Sequence, residues 1–174
     1  PTITVNTKDN TLRVANILLD ARFGGPQNRV LQVAEKLKQH GVKTVVIIPK
    51  HDSDYFHAKL VIKQIQVRRL RLHRLTTDKS HLIGWFIFFV PEIIALTRLL
   101  KQERIRLVHC NSSSHIKGVI AGRLAGAKVI WHLNDSWVPR PVKVLFNILA
   151  PLANGFIVTG QRVRSYYLNS KRFS

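Results

Sequence analysis

The 174-residue sequence predicts an α/β fold: a Rossmann-like, doubly wound, mostly parallel sheet with helices on both faces. Three observations carry this. Short β-branched, apolar runs recur along the chain, among them residues 13–19 (RVANILL), the run VKTVVIIP ending at Pro49, and residues 128–133 (KVIWHL). Segments with helical periodicity alternate with them, and strict strand–helix alternation implies parallel strands joined by crossovers. Glycine and proline mark the boundaries, at Gly24-Gly25-Pro26, at Gly41 and at Asn154-Gly155.

The first unit is the most informative. Gly24 and Gly25 leave no Cβ in the way of a ligand and tolerate positive φ, and Pro26 suits the first position of a helix. Val30, Val33, Ala34 and Leu37 then fall at helical spacing as a buried face, with Gln27, Gln32, Glu35 and Lys36 toward water. Lys36, Lys38 and His40 crowd the last turn before Gly41, the expected cap. A helix starting at a Gly-Gly turn aims free N–H groups and partial positive charge at whatever sits over it, which favours phosphate or carboxylate. The same turn also serves a purely structural purpose, and the dinucleotide fingerprint G-x-G-x-x-G is absent.

Composition bounds the rest. Apolar residues make up 45% of the chain, enough for a core in one domain. With 28 Lys and Arg against 9 Asp and Glu, the net charge is +19, a balance that attracts nucleic acid, anionic lipid or nucleotide-linked substrates. The single cysteine, Cys110, excludes an internal disulfide and fits a reducing compartment. It sits in an apolar strand, where a buried inert thiol is favoured over a nucleophile. Residues 1–12 are polar, carry no secretory signal and are expected to form a flexible arm, which suggests a cytoplasmic protein.

Beyond Pro49, residues 51–60 suggest a loop with a short helix. Its His51, Asp52, Asp54 and His57 fit a solvated loop better than a metal site. Residues 65–75 suggest a strand near the sheet edge with a cationic side of Arg68, Arg69, Arg71 and Arg74, either a phosphate track or a solvated face. Ser80 is the expected cap of a helix over 81–103 that contains LIGWFIFFV. That stretch is far short of the roughly 20 residues needed to span a bilayer. It is either a core helix or, through Trp85, Phe86 and Phe89, a peripheral membrane contact. A strand at 106–110 and a serine-capped helix follow, in which Gly118, Gly122 and Gly126 suggest close packing on the sheet and a terminal cap. Last come the strand ending near His132, an apolar helix over 140–152, a short strand at 156–159 and a helix over 161–168.

The run G-G-x-x-x-x-V-L-x-V-A-x-x-L-x-x-x-G-V-x-x-x-V-I-I-P at residues 24–49 resembles the opening of family 4 glycosyltransferases, which have the two-domain GT-B fold. Val108-His109-Cys110-Asn111-Ser112, followed by G-x-x-A-G-R-L-A-G-A-K-V-I-W-H, resembles a later part of the same family, and GFIVTGQRVRSYYL the close of its N-terminal half. The resemblance implies an acceptor-side domain over residues 13–168, with 169–174 beginning an interdomain linker. It further implies transfer of a sugar from a nucleoside-diphosphate sugar to a hydroxyl, with retention. The donor is a co-substrate, and no metal or other cofactor is expected. The family's acidic pair, spaced eight residues apart, lies in its other half; here no Asp or Glu follows Asp135, so the domain is expected to be inactive alone.

Carried onto this sequence, the resemblance places Gly24 and Gly25, flanked by Asn28 and Arg29, at the donor phosphates. His132 falls near the reacting sugar with Asp135 as its companion, and Asn111, Ser112 and Asn134 line the cleft. Implied partners are the donor, a lipid-linked or other hydroxyl acceptor, a C-terminal GT-B domain and an anionic membrane surface on the cytoplasmic side. Two alternatives stay open: a basic nucleic-acid-binding module, and one subunit of a naturally split transferase.

Overall fold

The computed structural model describes residues 11–75 and 79–168, with side chains from Leu82 onward in the second block. Six strands, β1 (Arg13–Ile17), β2 (Lys43–Pro49), β3 (Gln66–Leu70), β4 (Leu107–Asn111), β5 (Lys128–Leu133) and β6 (Gly155–Val158), form one sheet in the order β3-β2-β1-β4-β5-β6. Every neighbouring pair is parallel. The doubly wound expectation therefore holds, with β3 at an edge as the basic segment suggested. Most of residues 1–12 and all of 169–174, read above as arm and linker, lie outside the described residues.

Among the described residues six α-helices connect the strands and a seventh follows β6: α1 (Gly25–Gln39), α2 (Asp54–Ile62), α3 (Lys79–Ile87), α4 (Phe89–Gln102), α5 (Ile116–Leu124), α6 (Arg140–Leu149) and α7 (Gln161–Leu168). From β1 to β3 the chain winds one way across the sheet, and from β3 to β6 it returns the other way. Right-handed crossovers then put α1 and α2 on one face and the later helices on the other. Packing follows that division. Leu18, Val46 and Ile48 meet Val30 and Ala34 of α1 and Phe56 and Leu60 of α2. On the opposite face Ile17, Val108, Val129 and Trp131 meet Leu96 of α4, Val119 of α5 and Phe146 of α6. Each fully buried Val, Leu, Ile or Phe among them contributes about 1.5–3 kcal/mol relative to exposure.

Several expectations need correction. In α1 the inward face is Gln27, Val30, Leu31 and Ala34, while Val33 is exposed, because the helix lies rotated toward β2. Gln27 is buried without penalty because its amide donates to the Asp20 carbonyl at 2.6 Å. Gly24 is extended and Gly25 has no positive φ, so neither needs glycine for its backbone. Strand β3 stops at Leu70, five residues early, and residues 71–75 leave the sheet. Helix α3 already includes Ser80, so that serine does not cap it.

The helix expected over 81–103 is two helices broken at Phe88. The break places Pro91 in the first turn of α4, where its missing N–H is not needed. It also turns Trp85 into the core, 4% exposed, while Ile83, Phe86 and Ile87 face outward. Trp85 is thereby removed from the expected membrane-contact surface, and Phe89 is half-buried. Beneath Trp85 lies a buried polar cluster. Lys117 donates to Glu92 at 2.6 Å and sits 5.2 Å from the indole, and the other Glu92 oxygen meets the His73 ring and backbone N–H.

No serine caps α5; His115 does, its Nδ1 accepting from the Gly118 N–H at 3.2 Å. The glycines of α5 act as expected. A Cβ at Gly122 would lie 2.7 Å from Val129 Cγ2, and Gly126, at φ +78°, ends the helix. Cys110 is fully buried and burial pushes its thiol pKa up, consistent with an inert role.

Candidate functional site

A parallel strand buried on both faces is ordinarily apolar throughout. Strands β1, β4 and β5 break that rule on one face, with Asn16, His109, Asn111 and His132. Register pairs Asn16 with His109 and Asn111 with His132, so the four form a polar stripe on the face that carries α1. It lies toward the carboxyl ends of the strands, where the order reverses between β1 and β4, the usual position of ligands in open α/β sheets.

Arg29, in the second turn of α1, reaches this stripe. Its Nη2 donates to Asn111 Oδ1 at 2.5 Å and its Nη1 to His132 Nε2 at 3.3 Å. Asn111 Nδ2 in turn donates to Asn16 Oδ1 at 3.0 Å, and His132 Nδ1 lies 3.1 Å from His109 Nε2. The tautomers follow from these contacts. Guanidinium can only donate, so His132 Nε2 accepts. Burial, then the Arg29 charge, lowers the His132 pKa to about 4, and the ring is neutral at pH 7. Its proton is therefore on Nδ1 and donates to His109 Nε2, which leaves the His109 proton on Nδ1. His109 is also held at about 4, by burial first and then by His132 and Arg29.

The α1 mouth lies at the near end of this network. Gly24 is its N-cap and supplies no side-chain bond, no acidic residue stands in the first turn, and a Cβ on Gly25 would meet nothing within 4 Å. The leading N–H groups thus keep their positive end uncovered. Asn28 is exposed and its N–H closes the first helical turn onto the Gly24 carbonyl at 3.0 Å. Arg29 spends two of its five N–H donors inward and retains three.

Against that geometry the comparisons are specific. The sequence model for Glycosyltransferase Family 4 matches residues 23–173, most of the chain. The chain belongs to glycosyltransferase family 4. It corresponds to the N-terminal domain of such an enzyme, and solved structures agree on the fold. A glycosyltransferase from Rickettsia africae superposes with a TM-score of 0.70 at 15% identity, over 95% of this chain and 41% of that one. HepE from Anabaena, solved with UDP and glucose, gives 0.65 at 15%, over 91% and 41%. MurG from Acinetobacter baumannii gives 0.63 at 16%, over 86% and 42%. The chain thus spans about two fifths of the length of these structures. Comparison with curated proteins returns no match.

Of the expected family 4 site residues, Gly24, Gly25, Arg29, Asn111 and His132 come together. Asn28 shares the α1 mouth with the two glycines, while Asp135, Ser112 and Asn134 have other partners. Asp135 is exposed beyond β5; its backbone N–H points to Ser113 Oγ at 3.5 Å and its charge acts on Tyr167, not His132. Ser112 pairs with Ser114 at 2.9 Å, and the Asn134 carbonyl accepts from Thr159 at 3.5 Å. Asn16 and His109 were missed, though a polar residue inside each apolar strand was the available signal. Among the described residues, no cluster of three or more His, Cys, Asp or Glu is placed to hold a metal ion. The basic track at β3 is largely neutralised: Arg68 pairs with Glu103, Arg69 with Asp54 and Arg74 with Asp20, each at 2.6–2.7 Å.

Proposed function

We propose that this chain is the acceptor-side half of an enzyme that transfers a sugar, with retention, from a nucleoside-diphosphate sugar to a hydroxyl. The observation that carries the reading is Arg29, which joins the open α1 mouth to Asn111 and His132. A donor diphosphate over Gly24 and Gly25 meets the free N–H groups of α1 and the three remaining Arg29 donors. Together they stabilise charge on the leaving group. His132, neutral and buried beneath Arg29, faces the same crevice; with its Nε2 engaged it acts by hydrogen bonding and positioning, not as a free base. The domain is inactive alone, because the donor-binding acids belong to the other half.

UDP, GDP and their sugars should be titrated into the chain with and without a donor-side GT-B half. His132→Ala in the completed enzyme is expected to slow turnover by about 100-fold, the scale of a misplaced catalytic group, because Arg29 loses the acceptor that fixes its position. Unchanged turnover removes the assignment. Peripheral attachment to an anionic membrane has its own support in Ile83, Phe86, Ile87 and Val90, each at least 59% exposed along α3 and the start of α4. Among the described residues no helix is long and apolar enough to cross a membrane. Flotation with anionic liposomes tests the attachment, with Ile83→Ser/Phe86→Ser as the comparison because Trp85 is core; equal flotation of both proteins refutes it.

A further inference from the structure

The amino ends of β2 and β3 lie at the opposite end of the sheet from Arg29 and His132. A groove of about 430 Å³ opens there, between the last turns of α1, the α1–β2 turn and the residues that lead into β3. That volume falls within the roughly 300–1,000 Å³ usual for small-ligand sites. Ala34, Val42 and Ile65 give it an apolar wall, and Lys38 and Lys43 give it positive charge. Among the described residues, no Asp, Glu or Arg lines it.

Two side chains in the lining are set up for a ligand. Thr44, 8% exposed, lies in the floor, and its Oγ1 has no hydrogen-bond partner. An unpaired buried hydroxyl costs about 1–3 kcal/mol. Val46 and Ile48 follow Thr44 on the same face of β2, buried and aliphatic, so valine would serve the packing at this position without that cost. Staggered χ1 rotamers exchange the threonine hydroxyl with its methyl, and one such rotation turns the hydroxyl to the groove. Lys38 gives one N–H to Gln64 Oε1 at 3.1 Å and keeps its remaining donors for a ligand. Gln64 is itself held at φ +54° just beyond α2, where glycine is the easier residue. The neighbouring acids are engaged elsewhere: Glu35 with Lys63 at 2.9 Å, and Glu103 with Arg13, Gln66 and Arg68.

Lysine serves phosphate as a point charge, whereas planar carboxylates are matched by the arginine fork. We infer that this groove binds a small organic phosphate monoester. Lys38 and Lys43 hold the phosphate, Thr44 hydrogen-bonds it from the floor, and Ala34, Val42 and Ile65 pack on a compact apolar body. The site is separate from the sugar-transfer site and does not rest on that reading. Helix α1 serves both, with Arg29 and Lys38 about 14 Å apart along its axis.

Phenyl phosphate, titrated into the isotope-labelled chain and followed by proton–nitrogen correlation NMR, tests the assignment. Benzyl alcohol supplies the ring without the charge, and inorganic phosphate the charge without the ring. Phenyl phosphate is expected to shift the amides of Gly41, Val42, Thr44 and Ile65 and to bind more tightly than either control. Lys38→Gln and Thr44→Val should each weaken it about tenfold or more, the scale of one hydrogen bond to a charged group. Thr44→Val keeps the side-chain shape and removes the orphan hydroxyl, so its lost binding is not lost folding. Shifts confined to Gly24, Gly25 and Asn28, equal binding of either control, or unchanged affinity in either variant overturns the inference. Binding that emerges only when residues 1–10 are deleted also overturns it, and assigns the groove to the chain's own amino-terminal segment. The nucleotide titration and the His132→Ala assay read the other end of the sheet, so their failure leaves this result standing.

Discussion

Acid should destabilise this domain through His115, and the size of the effect can be worked out. The ring is fully buried, its Nδ1 is committed to accepting from the Gly118 N–H, and its Nε2 has no partner. Burial is the main cause lowering its pKa from 6.5 to about 4, with Lys117 and His109 adding to it. The unfolded chain therefore takes up a proton that the folded chain refuses, and stability falls as pH drops from the unfolded value toward the folded one. Linkage gives a loss of about 2 kcal/mol by about pH 5 and about 3 kcal/mol by about pH 4, relative to about pH 7.5. His115→Asn keeps a capping side chain and removes the titration. Urea unfolding of both proteins at those pH values, followed by tryptophan fluorescence, should show wild-type stability falling more steeply by that amount. Parallel pH dependence in the two proteins would refute the argument, whatever their absolute stabilities.

Other outcomes follow from the same packing. Long-range proton–nitrogen NMR at neutral pH should find both His109 and His132 protonated on Nδ1; an Nε2-protonated His132 contradicts the Arg29 contact. Glu92→Leu leaves the buried Lys117 ammonium unpaired and should cost about 3–5 kcal/mol in denaturant unfolding. Gly122→Ala drives a Cβ to 2.7 Å from Val129 Cγ2 and should cost about 1–3 kcal/mol by the same measurement.

The parallel, doubly wound sheet and the placement of most helices were legible because they follow from residue types at fixed spacings. Gly24-Gly25-Pro26 marked the α1 start, and β-branched runs marked the buried strands. What failed depended on partners distant in sequence. Val33 and Leu31 have equal claims to an inward face until the tilt of α1 on β2 is known. Gln27 is buried only because the Asp20 carbonyl receives it. The break at Phe88 follows from Pro91 together with a core that has room for Trp85. At the site, motif spacing found Arg29, Asn111 and His132. Asp135 was carried along by proximity in sequence, yet the turn after β5 takes it toward Tyr167. Asn16 and His109 reveal themselves only once neighbouring strands are aligned.

That alignment bears on how the chain reaches its native state. Sliding β4 by a single position against β1 or β5 would swing His109 and Asn111 into the greasy layer beneath α5 and strip them of Asn16, Arg29 and His132. Each misplaced amide or imidazole forfeits about 1–3 kcal/mol, whereas a slip between wholly aliphatic strands costs far less. The line of mismatched chemistry across an oily sheet is thus a key cut for one lock, rejecting wrong strand pairings before any substrate arrives.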